Sequence, residues 1–201
     1  MTEQQWLTCK DPKKMLEAMP PKTSDRKQTL VGAACYRAVW RSVSATDRKT
    51  IEEKEQEADR VAIDHGAYDF AVTATHHSAA IAAYGSVEAA SEAFQAVEEI
   101  VLAGNHDALS PVLAPIDREH AQQCHMLRHI MGNPFKPYPA PATWPSTVVE
   151  LAQAIYDGQN NRLILADALE ESGHQELAQH FREEEWHMKG CWAMDVILGK
   201  T

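Results

Sequence analysis

Apolar residues recur at helical spacing along most of this 201-residue chain, and that spacing limits the possible folds more than any other feature. One clear stripe is formed by Val87, Ala90, Phe94, Val97 and Val101. The sequence contains no alternating apolar and polar stretch bounded by hairpin turns. We therefore predict an all-α protein, a compact bundle of about nine or ten helices with no sheet.

The stretch from Arg118 to Pro139 divides the chain. We predict a helix over about 117–131 that stops at Gly132, preceded by a loop at Ser110-Pro111 and Ala114-Pro115. A run rich in proline follows this helix and favours extended backbone. Three segments are predicted: a helical bundle over 1–133, a Pro-rich connector over 134–145, and a helical segment over 146–201 that packs on the bundle.

No run of residues approaches the length of uncharged apolar sequence that a membrane span needs, and the N-terminus lacks the order of a secretory signal. We expect a cytoplasmic protein that folds without a cofactor, because a chain of this size can bury a sizeable core. In a reducing compartment the four cysteines are expected to be small buried apolar residues. They are Cys9, Cys35, Cys124 and Cys191.

The net charge of −10 makes the protein acidic, and its distribution is uneven. Residues 61–117 contain no Lys or Arg and 8 acidic residues. Such a segment repels a phosphate backbone, so nucleic-acid binding is disfavoured. One basic cluster near the N-terminus is interpreted as a solvated face. It comprises Lys10, Lys13, Lys14, Lys22, Arg26 and Lys27.

The helix over 117–131 contains four candidate metal ligands, which are His120, Cys124, His125 and His129. His120 and Cys124 are four residues apart, as are His125 and His129, so each pair shares a helix face. The two pairs face different directions, so another helix would have to complete a site. Candidates for that completion are His76, His77, Glu98 and Glu99. The interpretation that the sequence favours is that Cys124 belongs to an inert apolar stripe and the histidines are surface residues, so no metal site is predicted.

Motifs of nucleophilic catalysis and phosphate binding are absent from the sequence, including G-x-S-x-G and both common glycine-rich phosphate loops. The carboxylate runs Glu52-Glu53 and Glu183-Glu184-Glu185 lie in charged, solvated segments. The sequence does not decide whether the protein is an enzyme, but it favours a protein without enzymatic activity.

The C-terminal tail exposes an unusual amount of apolar surface if it does not pack. Trp186, Trp192 and Met194 are candidate interface residues, because tryptophan is favoured at interface hot spots. Packing of the tail on its own core is the alternative, and on that reading Trp192 is expected to be largely buried.

Several stretches resemble a large family of paralogous, uncharacterised proteins of Gemmata-type planctomycetes. They are WLTCKDPKKMLEAM, KTSDRKQTLVGAACYRAVW, CHMLRHIMGNPFKP, LAQAIYD, LADALEESG and GCWAMDVILGK. These stretches cover more than half of the chain in order, whereas residues about 65–117 match poorly. LADALEESG also resembles a short helical domain that accompanies repeats in the same bacteria.

The resemblance implies no activity, cofactor or binding residue. In the family pattern Cys124, Leu127 and the Gly132-Asn133-Pro134-Phe135 stop agree with this chain, whereas other polar residues stand at the positions of His125 and His129. The resemblance therefore implies a structural scaffold.

Two main hypotheses follow. The first is a non-enzymatic helical module that binds an unidentified protein partner or itself. The alternative is a helical-bundle metal-binding protein, or a metal-dependent hydrolase, that uses the His/Cys group on the helix over 117–131.

Overall fold

The computed structural model describes residues 1–19, 24–60, 66–104 and 109–200, so Lys22 of the basic cluster lies outside the described residues. Within these ranges the protein consists of α-helices and contains no strand, which confirms the predicted all-α class. The chain divides into two compact units, Met1–Arg128 and His129–Thr201. None of the described helices is long and apolar enough to cross a membrane.

The first unit is built on the packing of α3 against α4 and α5. Its helices are α1 (Glu3–Thr8), α2 (Pro12–Glu17), α3 (Asp25–Ala38), α4 (Ala45–Ala58), α5 (Ala67–Tyr84), α6 (Val87–Leu102) and α7 (Leu109–Met131). A short 3-10 turn, Trp40–Ser42, follows α3. The N-cap of α4 is Ser44, because its hydroxyl accepts a hydrogen bond from the Asp47 backbone N–H.

Small residues allow α3 and α5 to pack closely. Gly32 lies directly against Phe70, and a Cβ atom at position 32 would be 2.6 Å from Cδ1 and Cε1 of that ring. Ala33, Ala71 and Ala74 are fully buried. Because side chains of this size leave room for the neighbouring backbone, α3 and α5 make close contact.

Helix α7 begins at Leu109, and Pro115 lies inside it. The predicted loop at 110–115 is therefore wrong. Pro115 is the seventh residue of this helix, so it removes one intrahelical N–H donor and crowds the preceding turn without ending the helix. The predicted stop is confirmed, because Gly132 adopts a left-handed conformation with φ of 69°.

Two polar side chains of α7 in the first unit donate hydrogen bonds to backbone and hydroxyl groups. Nε2 of Gln123 donates to the carbonyl of Thr75 at 2.6 Å and to Oγ of Ser78 at 2.8 Å. The Arg128 guanidinium donates to the carbonyls of Trp6 and Cys9, at the end of α1. These bonds explain how a polar face of α7 is accommodated inside a helical core.

The second unit is made of helices of 7 to 11 residues. These are α8 (Ser146–Tyr156), α9 (Arg162–Glu171), α10 (Gln175–Glu183) and α11 (Trp192–Leu198), preceded by the last residues of α7. Its apolar core contains Val148, Leu165, Leu169, Leu177 and Phe181, each fully buried. The predicted connector belongs to this unit, since Tyr138 and Trp144 pack against that core. Its extended backbone is held by a 2.8 Å hydrogen bond between the Tyr138 hydroxyl and Nδ1 of His174.

Candidate metal centre in the second unit

Four potential metal ligands converge inside the second unit. His129 lies in the last turn of α7, and His180 lies in the last turn of α10. His187 belongs to the loop after α10, and Cys191 is the residue that precedes α11. One ligand atom from each of the four residues lies within 4.8 Å of the other three.

The distances around the Cys191 sulfur fit a tetrahedral ion. Sγ is 3.2 Å from Nε2 of His180 and 3.7 Å from Nδ1 of His187. A tetrahedral zinc ion, with Zn–S of about 2.3 Å and Zn–N of about 2.0–2.1 Å, holds sulfur and nitrogen about 3.6 Å apart. The two measured distances lie on either side of this value.

The three imidazole rings form a nearly equilateral triangle. Their centroids are 5.1 Å apart for His129 and His180, 5.4 Å for His129 and His187, and 5.3 Å for His180 and His187. Since each centroid lies about 1.1 Å beyond its ligand nitrogen, a tetrahedral zinc ion would hold the centroids about 5.2 Å apart. Packed aromatic rings also adopt such spacings. The convergence of their nitrogens on one thiol is what distinguishes this cluster from ordinary ring packing.

The cluster is buried and surrounded by aromatic side chains. Cys191 is fully buried and His129 is 3% exposed, while His180 and His187 are half-buried. The rings of Trp186 and His129 are 4.5 Å apart, and those of Phe181 and His187 are 4.7 Å apart. An apolar shell of this kind limits the access of water to a bound ion and strengthens its electrostatic interactions.

Burial also controls the protonation of the cluster. Desolvation, reinforced by the positive charge of Arg162, lowers the pKa of His187 from 6.5 to about 4. Arg162 is fixed in place by donating to the carbonyls of Phe181 and Arg182. The His187 ring is therefore neutral at pH 7, which is the form that binds a metal.

Two glycines shape the backbone around the cluster. Gly132 ends α7 three residues after His129, and a Cβ atom there would lie 3.1 Å from Cγ of Trp192. Gly190 has φ of 86° and directly precedes Cys191, whose N–H donates to the carbonyl of Met188. Because both positions require a left-handed conformation, glycine is the residue that allows His129 and Cys191 to reach the cluster.

Of the four candidate ligands on α7, only His129 belongs to this cluster. His120 lies nine residues earlier on the helix, about 13 Å along its axis, so the two cannot share an ion. Cys124 is fully buried, and desolvation raises its pKa to about 12. His125 is exposed and is not part of any metal-ligand group among the described residues.

The residues suggested to complete a site on α7 lie in other arrangements. The His76 ring is 5.7 Å from the His120 ring, and Nδ1 of His76 hydrogen-bonds the carbonyl of Val72. Nδ1 of His77 is 3.4 Å from the Tyr36 hydroxyl. Glu98 and Glu99 are exposed on α6. The described residues of the first unit thus bring together two imidazoles, which is fewer than a metal site needs.

Sequence interpretation missed His180, His187 and Cys191. Their spacing, H-x6-H-x3-C within the stretch 180–191, is a compact local signal that was hidden by the acidic run before Trp186. The predicted interface residues differ in exposure. Trp186 is 37% exposed, Trp192 is half-buried against the core, and Met194 is fully buried.

No protein-family model matches this sequence, and comparisons with curated proteins and with solved structures find no significant similarity. The chemistry of the cluster therefore has to be inferred from its own residues and geometry.

Proposed function

We propose that this protein binds one zinc ion in its second unit, through His129, His180, His187 and Cys191. The observation that supports the proposal is the approach of all four ligand atoms to within 4.8 Å of one another. Three neutral imidazoles and one thiolate suit zinc, a borderline-soft ion that favours tetrahedral nitrogen and sulfur ligands. On binding, the Cys191 thiol gives its proton to solvent and its sulfur takes the ion.

The proposed role of the ion is structural. Four protein ligands complete a tetrahedral shell, whereas catalytic zinc sites keep one position for water or substrate. The hydrolase alternative is therefore not part of the proposal. The ion would tie the ends of α7 and α10 to the start of α11. A scaffold or interaction role stays a prediction from the sequence, and a structural ion is compatible with it.

The test is metal analysis of the full chain purified without chelators. We expect one zinc per chain. After chelation, the protein should bind Co²⁺ with the intense visible bands of a tetrahedral site and a near-ultraviolet thiolate-to-metal band. Cys191→Ser should remove the thiolate band while leaving the weaker visible absorption.

Helix α7 offers a matched pair of control variants. His129→Gln should weaken zinc binding by at least about tenfold, since removal of a ligand-shell residue has effects of this size or larger. His125→Gln, four residues earlier and exposed, should bind zinc like the parent. The site would be excluded if the parent contains little zinc and if stoichiometric Co²⁺ produces no tetrahedral spectrum. Equal losses in the two variants would place the ion elsewhere.

A further inference from the structure

Helix α6 carries more apolar surface than its packing covers. Val87, Phe94 and Val101 are spaced seven residues apart, so they lie within about 40° of one another on the helix. They are 38%, 45% and 47% exposed, and we call them the α6 stripe. Ala90, on the neighbouring line, is the fully buried residue of this helix, and α5 is the element against which α6 mainly packs.

One side of the α6 stripe is acidic. Glu98 lies between Phe94 and Val101 on the helix surface, and Glu88, Glu92 and Glu99 follow on the next face. All four carboxylates are exposed, and none forms an ion pair with a described residue. Residues 66–104 contain no Lys or Arg to neutralise them.

We propose that the α6 stripe is the docking surface for a basic amphipathic helix of another protein. The three residues span about 21 Å along α6, which matches about four turns of a partner helix. A partner helix with apolar residues at heptad spacing would cover Phe94 and Val101 by side-by-side packing. Lys or Arg side chains flanking that apolar seam would then reach Glu98 and the acidic residues beside it.

The charges of α6 distinguish this partner from a second copy of the chain. Any pairing of two α6 helices brings acidic faces together, with no basic residue on the helix to offset them. Like charges across such a seam are destabilising. Charge complementarity therefore favours a basic partner over self-association, and it gives the interaction hypothesis from the sequence a defined surface.

The experiment uses the full chain and a defined probe. The probe is a fluorescein-labelled, 18-residue synthetic helix with Leu at its heptad seam and Lys at the flanking positions. A matched peptide has Glu in place of Lys. Fluorescence anisotropy should show saturable binding of the Lys peptide, weakening as salt rises, and no binding of the Glu peptide.

Surface variants locate the binding. The double variant Phe94→Ser with Val101→Ser should weaken binding of the Lys peptide at least about tenfold. The double variant Glu98→Gln with Glu99→Gln should weaken this binding severalfold and reduce its salt dependence. The control is Leu163→Ser, because Leu163 is an apolar residue of α9 that is 53% exposed. Leu163→Ser should bind the Lys peptide like the parent. Circular dichroism melts of each variant should show that these exposed substitutions leave the fold intact.

Three outcomes would overturn the proposal. The first is that neither peptide binds, or that both bind equally. The second is that Leu163→Ser weakens binding as much as the α6 stripe variant, which would indicate non-specific adhesion. The third is a dimer in sedimentation that Phe94→Ser with Val101→Ser dissociates, since the stripe would then be covered by a second copy.

Discussion

Cys124 and Cys191 are both fully buried, yet their surroundings differ in a way that separates the two units. Around Cys124, in the first unit, Nε2 of the adjacent Gln123 donates to a backbone carbonyl and to a hydroxyl. Around Cys191, in the second unit, two imidazole nitrogens lie within 3.7 Å of the sulfur. A buried thiol with a raised pKa is chemically inert, whereas a thiol among imidazoles is a candidate metal ligand.

The units also differ in how their helices are stabilised. In the first unit, α5 and α6 are 18 and 16 residues long and small side chains allow close packing. In the second, α10 and α11 are 9 and 7 residues long. Helices this short have little stability of their own, so they depend on tertiary contacts. The proposed metal centre would supply such contacts at their ends.

Removal of zinc should have the largest effect and should separate the two units. We expect chelation to destabilise the second unit by about 4 kcal/mol, the value for an ion at a thousandfold excess over its Kd. Hydrogen exchange followed by mass spectrometry on the full chain should show faster exchange in α10 and α11 and little change in α3 and α5. Equal acceleration in both units would break the comparison.

Trp192→Ala should have the next largest effect. Trp192 packs on Gly132 and its ring is 5.2 Å from that of His180, so its removal opens a cavity beside the proposed ion. We expect a loss of about 3 kcal/mol from the second unit, the lower end for truncating a packed aromatic residue. Urea denaturation of the zinc-loaded protein measures this loss of stability. A variant that melts like the parent but loses association with itself or another protein would instead make the tail a binding element.

Gly32→Ala tests the close packing of the first unit. The added methyl group would collide with the Phe70 ring, and we expect a loss of about 1–3 kcal/mol, typical of overpacking. Zinc content should stay at the level of the parent. Phe70→Leu combined with Gly32→Ala should recover part of the loss, because the smaller side chain makes room. A Gly32→Ala protein as stable as the parent would show that the α3 and α5 contact is looser than the structure describes.

The smallest expected effect concerns pH in the first unit. Burial, reinforced by the neighbouring His76, lowers the pKa of His120 below 6.5. The unfolded chain therefore binds a proton at this site more readily than the folded one. Its contribution to stability is present above about pH 6.5 and is lost as the pH falls toward the folded pKa.

Denaturation at about pH 7 and about pH 5.5 should show this loss in the parent and a smaller one in His120→Gln. An NMR titration should place the His120 imidazole below 6.5. An identical pH dependence in both proteins would assign the effect to other groups.

Local sequence signals predicted the helices well where capping residues mark their ends. Ser86 and Gly85 separate α5 from α6, and Gly132 ends α7, as their side chains and backbone preferences require. The same reasoning failed at Pro115, because tertiary packing of a long helix can override the helix-breaking preference of a single proline. Helix spacing placed His125 and His129 on the same face of α7, but it did not show what packs along that face.

The candidate metal centre could not be predicted in this way, for a physical reason. A search along one helix finds only ligands that the helix itself brings together, whereas His129 meets His180 through tertiary packing. The H-x6-H-x3-C spacing was available in the sequence, yet three ligands without a fourth do not define a closed site.

The four ligands are unevenly spaced along the chain, and this gives them different parts in folding. His180, His187 and Cys191 fall within a segment of about a dozen residues, so they can capture an ion while the rest of the unit is still disordered. His129 then closes a loop that contains α8 and α9, at an entropic cost that grows only slowly with its length. The three local residues would determine how fast the ion is taken up, and His129 would determine whether its capture organises the helices between them.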